Sequence, residues 1–132
     1  MVQASIVAAA SILSAAPLAP IGPLVPPGDV ILTIRDVRER FYPEGAQRQG
    51  VEGRATTLCR IAASGDLVDC TVVSEDPAGC GFGEAVVRVA TSMRARKRTK
   101  DVAPITGRPY EFNMKFKLPA GSPVKAQTCK AE

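Results

Sequence analysis

The sequence predicts an α+β two-layer sandwich. A three-stranded antiparallel sheet, a hairpin plus a C-terminal strand, is covered by one amphipathic helix and flanked by short N-terminal helices. Three stretches predict it. Val51 to Val73 alternates in polarity on both sides of a Ser64-Gly65 turn. Phe82 to Met93 repeats its apolar residues at helical spacing. Tyr110 to Leu118 sets Tyr110, Phe112, Met114, Phe116 and Leu118 against Glu111, Asn113, Lys115 and Lys117 without an error. A sheet with one dry face and a helix with one dry stripe bury each other, and that makes two layers.

A chain of 132 residues suits a single domain. With 45% hydrophobic and 23% charged residues it has the composition of a folded protein. The net charge of +4 favours solubility and weak attraction to anions. There is no histidine, which removes the usual general base and the commonest metal ligand. The four cysteines lack C-x-x-C spacing, so neither a zinc site nor a thioredoxin-type motif is expected. No metal, cofactor or catalytic residue is assigned. Glu39, Glu44, Asp76 and Glu84 are scattered and form no acid–base pair.

Residues 1–19 carry no charge and read as a signal peptide or a membrane anchor, a soluble leader being the third reading. Pro17, Pro20 and Pro23 hold any continuous helix to about 16 residues, short of the about 20 a bilayer needs. Residues 20–28 read as a proline-rich linker, residues 29–119 as the folded domain, and residues 120–132 as a flexible tail. Thr33, with Asp36 three positions on, can cap a short helix carrying Ile34, Val37 and Phe41 on one face. A strand over Val30 to Ile34 is the alternative. Pro43 ends that element, and Tyr42 to Gly50 forms a second short helical turn.

In the hairpin, Val51, Ala55, Thr57, Cys59 and Ile61 share a face with Val68, Cys70 and Val72. Odd positions face even ones only if opposed numbers sum to an odd value. That demands a loop of two or four residues and sets Cys59 opposite Cys70; a three-residue loop would put Cys59 opposite Asp69. The expected pairing brings Cys59 and Cys70 within reach of a cross-strand disulfide. The alternative is two reduced cysteines serving as small core residues. An even count of cysteines with this pairing favours an oxidising compartment.

Gly79, Gly81 and Gly83 make a loop before the helix, but not a phosphate loop, since Glu84 puts a carboxylate where an anion would sit. The helix stripe is Phe82, Ala85, Val86, Val89, Ala90 and Met93. Arg94, Arg96, Lys97, Arg98 and Lys100 follow as a solvated helix end and loop, or else as a patch for lipid headgroups or an acidic partner. Cys129 has two readings: folded back to Cys80, or free or intermolecular.

Tyr42-Pro43, Ala46, Val51-Glu52-Gly53, the Gly65 turn, Val72-Val73-Ser74, Pro77, Phe82 at the helix start and the alternating last strand together resemble a known family. It is the C-terminal domain of TonB, the periplasmic energy transducer of Gram-negative bacteria, and the resemblance runs from about Phe41 to Pro119. It implies a periplasmic, non-enzymatic protein that takes a peptide of an outer-membrane TonB-dependent receptor as an added strand. It also implies an inner-membrane proton-channel complex as a second partner. The implied peptide-binding residues are the edge strand, Tyr110, Glu111, Phe112, Asn113, Met114, Lys115, Phe116 and Lys117, with Phe41 and Tyr42 beside it. An accessory envelope protein of the same fold, without energy coupling and with a homodimer through the same edge, is the alternative. A nucleic-acid module is disfavoured because Tyr110, Phe112 and Phe116 belong to the buried face.

Overall fold

A computed structural model describes residues 19–34 and 41–131. In chain order the elements are β1 (Val30–Ile34), α1 (Glu44–Arg48), β2 (Gly53–Ile61), β3 (Leu67–Asp76), α2 (Phe82–Thr91), β4 (Met93–Lys97) and β5 (Pro109–Phe116). The main sheet has the order β3-β2-β5, with both pairings antiparallel, and β1 and β4 form a separate two-stranded ribbon. The α+β class holds, with the ribbon as an addition. The region expected for a signal peptide or anchor lies outside the described residues, apart from Ala19.

One face of β2 is fully buried at Ala55, Thr57, Cys59 and Ile61. α2 covers it with Phe82, Ala85, Val86, Val89 and Ala90, the stripe expected from helical spacing. Around the ribbon end, Val30, Ile61, Leu67, Val89 and Tyr110 form one core cluster. Around the other end, Ala46, Val51, Phe82 and Phe116 form a second. Gly53 belongs where it is because a β-carbon there would run into the Phe82 ring and the Asp76 carbonyl. The Phe82 N-terminal turn lacks a side-chain cap of its own; Glu75 of β3 reaches over and accepts from the Gly83 N–H at 2.8 Å. A carboxylate there also opposes the positive end of the helix dipole.

The hairpin corrects the expected loop. Gly65 N–H donates to Ala62 O at 2.8 Å and Gly65 has φ +90°, while Ala62 N–H donates to Asp66 O at 2.9 Å. This is the three-residue loop that the parity argument rejected, a tight turn followed by a left-handed glycine. Next to it the register runs Ile61↔Leu67 and Arg60↔Val68, with even sums. A bulge at Asp69, φ +52°, then restores the odd register of Leu58↔Thr71 and Thr57↔Val72. The inserted residue does what the loop was expected to do, and a disulfide joins Cys59 to Cys70 across a Cα separation of 4.1 Å.

Four further expectations change. Of the two readings of Val30 to Phe41, the strand over Val30–Ile34 is the one observed, so Thr33 and Ile34 lie in β1 and not at a helix start, and Val37 is outside the described residues. α2 stops at Thr91, and Met93 opens β4 instead of closing the helical stripe. Its Met93 and Ala95 point in while Arg94 and Arg96 point out, a period-two pattern too short to stand out beside the helix before it. The linker is extended but docked. Val25 is 1% exposed, and Ile21 and Val25 donate their N–H groups to Gly107 O and Pro109 O, so packing begins ahead of Asp29. The tail is fastened: Lys125 N–H donates to Gly50 O, Gln49 and Lys130 exchange two hydrogen bonds, and a disulfide joins Cys80 to Cys129.

Gly53→Ala should cost more than about 2 kcal/mol in denaturant unfolding, since neither backbone nor ring can give way cheaply. Replacing Cys70 by Ser, which opens a closed loop of sequence separation 11, should cost about 2–3 kcal/mol in the same assay.

Candidate functional site

The sheet has two edges, and they differ. The β3 edge carries two register irregularities, at Asp69 and at Val73, so its outward backbone groups are not evenly spaced. Bulges of this kind blunt an edge against pairing. The β5 edge is regular, with eight consecutive pairs from Gly53↔Phe116 to Arg60↔Pro109 and no shift.

Which backbone groups of β5 face outward follows from two hydrogen bonds. Arg108 O accepts from Ile61 N–H at 3.1 Å, so it faces β2; Pro109 O accepts from Val25 N–H at 2.9 Å, so it faces away. Alternation then turns the N–H and C=O groups of Glu111, Asn113 and Lys115 outward. Among the described residues these groups have no partner. The chain itself bounds this window at one end, where Val25 closes it at Pro109; past the other end of β5, Leu118 N–H, on the β2 side, donates to the Glu52 carboxylate at 2.7 Å and extends the β2–β5 pairing.

The structure divides the site residues expected from the sequence. Glu111, Asn113, Lys115 and Lys117 are exposed along the edge and the wet face. Phe112 and Met114 are half-buried on the helix side, and half-buried Phe41 packs against the same two core clusters that they do. Tyr110 and Phe116 are core residues, at 5% and 4% exposure, and their side chains are not part of an open surface. Tyr42 is an anchor. Its ring meets Phe82 and Phe116 edge-on at 6.0 and 5.6 Å, and its hydroxyl donates to Val51 O at 2.6 Å. This explains the Tyr-Pro pair: the ring locks the core while Pro43, buried, precedes α1. The residue that sequence reasoning missed is Val25, which ends the window at Pro109; a valine amid prolines was a faint signal of it.

A model of the Gram-negative bacterial TonB protein C-terminal domain matches residues 38–118 of the chain. The chain belongs to the TonB C-terminal domain family. The solution structure of the Pseudomonas aeruginosa TonB C-terminal domain is similar to it, with a TM-score of 0.53 and 24% sequence identity, over 73% of this chain and 93% of that one. No curated protein sequence matches. TonB C-terminal domains serve periplasmic energy transduction, mechanically and without catalysis, and interact with outer-membrane receptors. In this chain the Tyr42, Phe82 and Phe116 rings pack the segment ahead of α1 against α2 and β5.

Tyr42 and Tyr110 are the chain's two tyrosines, and tryptophan is absent, so their ionisation can be read directly. Burial raises both pKa values above 10.0, and the Glu52 carboxylate adds to the shift at Tyr42. Because the folded values are raised, the stability these phenols contribute is fully present below about pH 10 and is lost as pH rises through the folded values. Ultraviolet titration of the native protein should place phenolate formation above that of the protein in denaturant, and thermal stability should fall over the same interval.

Proposed function

We propose that this domain captures an extended segment of an outer-membrane TonB-dependent receptor by adding it as a strand to the open edge of β5, in support of transport across the outer membrane. The carrying observation is the regular edge at Glu111, Asn113 and Lys115, whose outward backbone groups have no partner among the described residues. Backbone pairing supplies the attachment, and alternate side chains of the added strand meet two different surfaces. One surface is polar, made by Glu111, Asn113 and Lys115. The other is apolar, made by Phe41, Phe112 and Met114. An inner-membrane proton-channel complex is the proposed source of the pulling force, and the periplasm the proposed compartment, where both disulfides persist.

One observation favours the alternative of an accessory envelope protein: the chain already adds its own Ile21–Val25 segment beside Gly107 and Pro109. A single substitution separates the readings. Asn113→Pro removes an outward N–H, which an edge strand tolerates, and leaves the β2 pairing in place. Titration of receptor plug peptides should shift the amide signals of Glu111, Asn113 and Lys115. Asn113→Pro should weaken that binding by about tenfold or more with little change in unfolding temperature. Plug peptides that shift no β5 amide, together with a dimer that Asn113→Pro dissolves, would instead establish the accessory role.

A further inference from the structure

We infer that the β1–β4 ribbon and the loop beside it form a docking surface for an anionic lipid bilayer. Among the described residues, six cations gather at this end of the domain, Arg94, Arg96, Lys97, Arg98, Lys100 and Arg108, against three carboxylates, Asp29, Asp66 and Asp101. Their pairing matters more than their number. Arg94 is held by Asp66 at 3.4 Å, but Arg96, Lys97 and Lys100 have no carboxylate partner among the described residues. Arg98 donates to Gly28 O and Val30 O, and Arg108 donates to Pro23 O, Leu24 O and Pro104 O. Carbonyls fix a guanidinium in place without cancelling its charge, so these two cations are positioned and uncompensated.

The shape suits a headgroup. Arg96 and Lys97 line a cleft of about 400 Å³ whose other walls are the hairpin tip at Ser64-Gly65 and the Pro104–Thr106 loop. Ala63, Ala95 and Ile105 make part of its lining apolar, with the two cations beside them. A phosphate diester carrying acyl chains presents both kinds of surface.

Two apolar side chains stand beside Arg108. Ile21 is 77% exposed and Leu24 is 47% exposed, on the same short segment whose carbonyls hold Arg108. Stable attachment to a bilayer takes an apolar contact and a basic patch together, and this end of the chain brings both to one place.

Co-sedimentation of the full, oxidised chain with vesicles tests this without any receptor. One set is phosphatidylcholine alone, and the other contains about one third phosphatidylglycerol. Binding should be several-fold greater on the anionic set and should fall as salt is raised from about 0.05 to about 0.5 M. Arg96→Glu with Lys97→Glu should lower anionic binding by about tenfold or more, and Arg96→Gln with Lys97→Gln by a smaller factor. Lys125→Glu with Lys130→Glu makes the same change in net charge at the tail end and should stay within about twofold of the parent. Circular dichroism confirms that each variant is folded. Equal binding to both vesicle sets overturns the inference, as does an equal effect of the ribbon and tail reversals. So does polyglutamate binding that needs Arg96 and Lys97 while vesicle binding does not.

Discussion

The ring of Phe82 occupies the space that a side chain at position 53 would fill, and this contact sets how closely α2 can approach β2. Gly53 is opposite Phe116 in the register of β2 and β5, and Phe116 packs on Phe82 at 5.3 Å between ring centroids. One absent β-carbon therefore seats three elements. Tyr42 packs edge-on against the same ring, so the Tyr42-Pro43 pair ahead of α1 is drawn onto it. With the helix seated, every inward residue of β5 is committed to the core or its rim, and only the outward positions remain for binding.

Much of this was legible in the letters. β5 could be read residue by residue because its alternation is unbroken, and α2 because its stripe spans three turns. Cys59 and Cys70 could be matched because side-chain parity on a buried face is a strict rule. The means of satisfying the rule could not be read. A loop of even length and a loop of odd length with one bulge give the same faces, and the choice rests on Asp69 accepting a left-handed backbone. Its carboxylate is held there by Arg60 at 2.8 Å, a cross-strand partner that local sequence does not reveal.

What stayed hidden depends on contacts between distant parts of the chain. β1 and β4 are five residues each and derive their stability from one another, with Ala95 N–H also reaching Gly65 O at the hairpin tip. Short strands of this kind carry too few periods to be told from a helix end rich in arginine. The proline-rich segment looked like linker because its composition is that of a linker. It is docked because Val25 joins the ribbon-end core and because Arg108 donates to the Pro23 and Leu24 carbonyls. The tail is fixed by a disulfide to Cys80, at a sequence separation of 49 that no local pattern encodes.

The bounded edge has an energetic consequence. Glu111, Asn113 and Lys115 offer about six outward backbone groups, and a hydrogen bond that replaces water contributes about 0.5–1.5 kcal/mol net. Ordering each residue of an incoming peptide costs about 1–2 kcal/mol of backbone entropy. Over so short a window the two terms are of similar size, so pairing alone cannot hold a partner firmly. The surplus has to come from side chains entering the half-buried ground at Phe41, Phe112 and Met114, where apolar surface is already partly out of water. Because Val25 closes one end at Pro109, a strand added as proposed that slipped toward that end would forfeit backbone bonds as well as the apolar contacts. In the proposed strand addition, one closed end and the apolar ground beside β5 would together let a generic strand edge select register and sequence.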